Sequence, residues 1–101
     1  MIVVRNIFQV KFGQTKQATE LWKQAMAAMK TGSHAPSASR LLIDLAGPPY
    51  YTIVFESTFD SLTQFEQFHQ AAGSNASFRD LYAKIIPLTE TGRREILTVV
   101  A

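Results

Sequence analysis

The chain has 101 residues, of which 47% are hydrophobic and 18% charged, with a formal net charge of +2. That length suits one domain burying roughly 60% of its unfolded surface, and so apolar a composition excludes a disordered tail. No apolar run reaches the about 18 residues of a membrane span; the absence of cysteine removes disulfide scaffolds, thiolate metal sites and a cysteine nucleophile; and a pI near 9.2 is too weak a bias for a nucleic-acid surface.

Residues Ile2 to Phe12 are β-branched and aromatic with polar interruptions, a strand bounded by Gly13. Ile2-Val3-Val4 runs straight into Arg5 and Asn6, without the apolar core of a secretory signal, so the expected setting is cytoplasmic. From Thr15, read as an N-cap, the period changes. Ala18, Leu21, Trp22, Ala25, Met26 and Met29 fall at helical spacing, and Gly32 stops the helix. Ser33 to Ser39 is a loop broken by Pro36, Arg40 to Ala46 a short apolar strand, and Gly47-Pro48-Pro49 a turn. Tyr50 to Ser57 has the strongest strand composition in the chain. Asp60 then reads as an N-cap to a stripe of Leu62, Phe65, Phe68, His69 and Ala72. Gly73-Ser74-Asn75 interrupts that helix, and a second segment carries Phe78, Leu81, Tyr82 and Ile85 on one side. Asp80 and Lys84 form an i,i+4 pair outside it; Pro87 ends it, and Arg93 to Val100 is the last strand.

The order βαββαβ predicts a single α+β domain over residues 1–101: ferredoxin-like, a four-stranded antiparallel sheet with the helices on one face. A sheet covered on one side usually alternates apolar with polar. Here Val4, Phe8, Val10 and Phe12 share one face of the first strand, while Val3 and Ile7 take the other. Tyr51, Ile53 and Phe55 oppose Tyr50 and Val54, and Leu41, Ile43 and Leu45 oppose Leu42 and Ala46. Two apolar faces imply that the second packs on another copy of the chain, as a homodimer.

P-loop, GxGxxG, HExxH, GxSxG and EF-hand patterns are missing, and two isolated histidines make no zinc site. Asn6 is predicted on the helix-covered face. There it meets a water or backbone partner, or the strand register is displaced by one residue, or it orients a ligand between sheet and helices. His69 lies on or beside the apolar stripe, a boundary residue or a general acid–base with a suitable reference pKa. His34 belongs to a solvent-exposed loop. Trp22, Phe55, Phe65, Phe68, Phe78 and Tyr82 are core residues or the walls of an apolar pocket, which a kink near Gly73 would open. Arg5, Arg40, Asp44, Glu56 and Arg94 are expected as paired charges toward the dimer face.

Tyr51-Thr52-Ile53-Val54-Phe55-Glu56-Ser57, followed by Phe59, Asp60, Ser61, Leu62, Phe65 and Glu66, and closing on Arg93-Arg94-Glu95-Ile96-Leu97, resembles the dimeric α+β barrel superfamily, in particular its NIPSNAP-type and antibiotic-biosynthesis-monooxygenase-like branches. The likeness extends over nearly the whole chain and lies in layout more than in one diagnostic motif. It implies a cytoplasmic homodimer with Asn6 and His69 as catalytic candidates in the sheet–helix cleft, and oxygenation of electron-rich polycyclic phenols without a cofactor. Other relatives degrade haem and carry a Trp on the second helix where this chain has Phe65 and Phe68, so no cofactor and no metal are expected. The alternative within the same resemblance is a non-catalytic ligand-binding, structural or regulatory homodimer. The RNA-recognition motif shares the βαββαβ order, but Val3 stands where its stacking aromatic belongs and Gly47-Pro48-Pro49 where its third strand opens, so no nucleic acid is expected. Heavy-metal-associated domains need two cysteines and are excluded.

Overall fold

A computed structural model describes residues 1–47 and 49–101. Its elements are β1 (Ile2–Val10), α1 (Thr15–Lys30), β2 (Ala38–Ile43), β3 (Thr52–Phe59), α2 (Leu62–Gly73), α3 (Ala76–Ile85), a 3-10 turn (Ile86–Leu88) and β4 (Thr89–Thr98). The strands form one antiparallel sheet in the order β2-β3-β1-β4. This is the ferredoxin-like arrangement that the βαββαβ order predicts, with the second helix in two pieces.

The helices follow from spacing and caps. Ala18, Trp22, Ala25 and Met29 are the buried residues of α1, one stripe at helical period. Asn75 separates α2 from α3: its Oδ1 accepts from the Phe78 backbone N–H at 3.0 Å and starts a new helix. Val4, Val10, Ile53, Phe55 and Phe59 from the sheet meet Trp22, Phe65, Phe68 and Ile85 in the core.

Several boundaries differ from the sequence reading. β1 ends at Val10, because Lys11 turns to bond Leu88 O and Gly13 takes φ +78°; Phe12 is therefore outside the strand and 82% exposed. Thr15 is the first residue of α1, Gln14 being the cap without a side-chain bond. β2 is displaced toward the N-terminus, leaving Leu45 fully exposed rather than on a strand face. Tyr50 and Tyr51 precede β3, Tyr51 at φ +62°. Ser61, not Asp60, caps α2: its Oγ accepts from Gln64 N, while the Gln64 side chain accepts from Asp60 N and donates to Ala35 O. β4 begins at Thr89, because the 3-10 turn around Pro87 delivers the chain to the sheet sooner than Arg93. The Gly47-Pro48-Pro49 reading falls partly on Pro48, outside the described residues.

The register assigns the faces. Val4, Asn6 and Phe8 turn toward the helices, opposite Ser57, Phe55 and Ile53 on β3 and Ile96, Arg94 and Gly92 on β4. The other face carries a row of directly opposed charges, Arg40-Glu56-Arg5-Glu95, flanked by Leu42-Val54-Ile7 on one side and Val3-Leu97 on the other. Glu56 is buried and accepts from both guanidiniums at 2.8 Å. The Arg5 hydrogen bond and then that of Arg40 hold its carboxyl below the usual carboxylate range, against burial, which acts the other way.

Candidate functional site

Trp22 lies nearly flat over two phenylalanines that adjacent strands bring to the helix side. Its ring stacks on Phe8 at 5.1 Å and on Phe55 at 5.7 Å, with Tyr82 of α3 edge-on at 6.4 Å. Phe8 fits because its opposite residue is Gly92, where a Cβ would stand 2.8 Å from Phe8 Cδ1. Beside this stack, α2 and α3 diverge at the Gly73–Asn75 break and leave a cavity of about 480 Å³, within the range of small-molecule sites.

All eight candidates from the sequence line this one cavity: Asn6 and Phe55 on the sheet, Trp22 on α1, Phe65, Phe68 and His69 on α2, and Phe78 and Tyr82 on α3. Their surroundings differ. Asn6 is partly buried, and its Oδ1 accepts from Arg94 Nε at 2.7 Å. His69 is exposed at the edge, with its ring 5.8 Å from that of Phe65. Phe59 supports the wall from below, at 5.3 Å from Phe65 and 5.4 Å from Phe68. The buried Trp22 Nε1 has no acceptor among the described residues, an arrangement that costs about 1–3 kcal/mol unless a partner is supplied.

Two charged lining residues escape the sequence reading. Arg94 is not toward the dimer face as expected. It is paired with Asn6 across the β1–β4 ladder and so shares its face, with the guanidinium carbon 5.4 Å from the centre of the Phe65 ring. The signal that could have found it is register: with β4 beginning at Thr89, Arg93 and Arg94 take opposite faces. Arg79, on α3, also lines the cavity; its only signal was its place three residues before Tyr82. Asp44 is not in the charge row either: its Oδ1 accepts from Thr52 N at 2.7 Å, where β3 begins. His34 is exposed, in the loop before β2. Among the described residues no three His, Asp or Glu side chains gather as a metal site, and no helix is long and apolar enough to cross a membrane.

No protein-family model and no curated protein matches the chain closely. Solved structures do. A NIPSNAP family protein of unknown function from Agrobacterium tumefaciens superposes with a TM-score of 0.84 over 96% of this chain and 86% of its own, at 18% identity. The chain has the NIPSNAP and antibiotic-biosynthesis-monooxygenase fold. An uncharacterized NIPSNAP domain protein from Burkholderia xenovorans gives 0.82 over 100% and 96% of the two chains, at 13% identity. SnoaB, a cofactor-independent oxygenase from Streptomyces nogalater, gives 0.73 over 97% and 91%, also at 13%. At such identities the likeness is one of fold, and the chemistry has to be argued from the residues.

Proposed function

We propose that this chain is a homodimeric, monooxygenase-like protein that binds a small aromatic molecule between sheet and helices and oxygenates it without a cofactor. The observation that carries the reading is the cavity itself: rich in aromatic side chains, of a size for two or three fused rings, with Asn6 beside Arg94 on its floor. A phenolic substrate seated there hydrogen-bonds to Asn6, and His69 at the edge takes its proton. The resulting anion is electron-rich enough to give one electron to dioxygen. The radical and superoxide recombine into a carbon–oxygen bond, His69 returns its proton to the peroxide, and the hydroperoxide eliminates water with the hydrogen left on that carbon to give a quinone, so one oxygen atom enters the product and the other leaves as water. The protein contributes orientation and an aromatic wall against which the substrate is held. Dioxygen is the only oxidant this chemistry requires.

The homodimer reading rests on the uncovered sheet face. The molecule is 18 Å across its short axis, one sheet with one helical layer, and Val3, Ile7, Leu42, Val54 and Leu97 lie on the outside. An isologous pairing of this face would bury them and bring two charge rows together.

The test is oxygen uptake with 1,8-dihydroxyanthrone, alongside light scattering. The expected result is a mass twice 11.3 kDa and uptake well above the buffer rate, lost in Asn6→Ala. If 1,8-dihydroxyanthrone quenches Trp22 fluorescence but uptake stays at the buffer rate, the second reading holds: a non-catalytic ligand-binding homodimer. The bond from Arg94 that already engages Asn6 favours that reading.

A further inference from the structure

The cavity has a charge asymmetry that an apolar ligand alone leaves unexplained. Among the described residues its lining contains Arg79, Arg94 and His69 but no carboxylate. The chain has five arginines. Three of them, Arg5, Arg40 and Arg93, each lie within 4 Å of a glutamate oxygen. The two without a carboxylate partner among the described residues are the two on the cavity. Arg94 is also oriented. Its Nε donates to Asn6 Oδ1 at 2.7 Å, and its guanidinium carbon stands 5.4 Å from the Phe65 ring centre. With Nε engaged, the two terminal nitrogens remain as a fixed fork, the geometry that matches a carboxylate with two parallel hydrogen bonds.

We infer that the natural ligand of this cavity is an aromatic ring system bearing a carboxylate, with the rings against Trp22 and Phe55 and the carboxylate on the Arg94 fork. This rests on the aromatic-ligand reading above and deepens it. Asn6 then also positions Arg94 through its Oδ1, and Arg79, without a carboxylate partner among the described residues, adds positive charge at the same cavity. Arg94 is exposed, so the preference comes from the orientation of its fork beside the Phe65 ring rather than from desolvation. A neutral ring system of the same shape would keep the stacking and lose the ion pair.

The experiment compares 2-naphthoate with 2-naphthamide, which share a shape and differ in charge, by isothermal titration calorimetry on the wild-type chain and on Arg94→Gln, Arg94→Lys and Arg79→Gln. The wild type should bind the naphthoate about tenfold or more tighter than the amide, the scale of a charge-assisted hydrogen bond. Arg94→Gln should abolish that preference and leave amide affinity within about twofold. Arg94→Lys, keeping the charge without the fork, should retain only part of it, and Arg79→Gln should reduce it less than Arg94→Gln. Circular dichroism identifies any variant that fails to fold, and the wild-type comparison decides without one. Equal binding of the two probes by the wild type would overturn the carboxylate inference and leave the aromatic-ligand reading standing. If neither binds, both fall.

Discussion

Replacing Glu56 with Gln keeps the shape of the side chain but removes its negative charge and one of the two oxygens that accept from Arg5 and Arg40. The Glu56 side chain is 11% exposed, against 41% for Arg5 and 64% for Arg40. In an isolated chain, water can take over much of what the guanidiniums lose. Each pair is then worth about 0.2–1 kcal/mol, and the substitution costs roughly 0.5–2 kcal/mol in all. With a second copy over the face, both arginines are desolvated, and removing their partner costs about 3–5 kcal/mol. Urea unfolding followed by Trp22 emission, at two protein concentrations a hundredfold apart, separates the cases. The expected result is a loss of about 3 kcal/mol or more, together with a wild-type stability that rises with concentration, as mass action requires of a dimer. A loss of about 1 kcal/mol that is the same at both concentrations would refute the covered face. A loss below about 0.5 kcal/mol would refute the charge row as a source of stability.

Because its partners depress the Glu56 pKa, this group's contribution is complete above the unfolded value of about 4.3 and disappears as pH falls through the folded one. Acid titration of stability should therefore show a steeper fall below about pH 5 in the wild type than in Glu56→Gln; parallel curves would contradict it. Gly92→Ala forces a Cβ to within 2.8 Å of Phe8 Cδ1 and should cost about 1–3 kcal/mol, with a shift in Trp22 emission because Phe8 stacks on that ring. Asn6→Ala removes one hydrogen bond, from an exposed arginine, and should lower stability by only about 1 kcal/mol; a larger loss, matched by the loss of oxygen uptake, would assign Asn6 to the fold rather than the site.

Periodicity carried most of the fold into view. The stripe Ala18-Trp22-Ala25-Met29, the break at Gly73-Ser74-Asn75 and the alternation of β1 each express one dominant local term, and each has its place in the structure. What sequence reasoning missed depended on competition between neighbours. Ser61 prevailed over Asp60 as cap because Gln64 can satisfy both positions and tie the helix start to Ala35. β2 ended early because nothing on β3 pairs beyond Ile43 except through Asp44. Arg94 was misplaced for a similar reason. Without the start of β4 and its register against β1, two consecutive arginines are indistinguishable, although one residue separates an outer-face charge from a cavity-lining one.

That one-residue separation recurs along the row. Arg5 precedes Asn6, Glu56 follows Phe55, and Glu95 follows Arg94, so three of the four charges are chain neighbours of cavity-lining residues. In a pleated strand such neighbours point to opposite faces but share a peptide. The ion pairs that Glu56 makes with Arg5 and Arg40 join β1, β2 and β3 on the outer side, directly behind Asn6 and Phe55 on the inner side. A substitution in the charge row is therefore expected to be felt on the cavity side of the same strands. The same glutamate that would lock two copies together also holds in place the floor on which a ligand would rest.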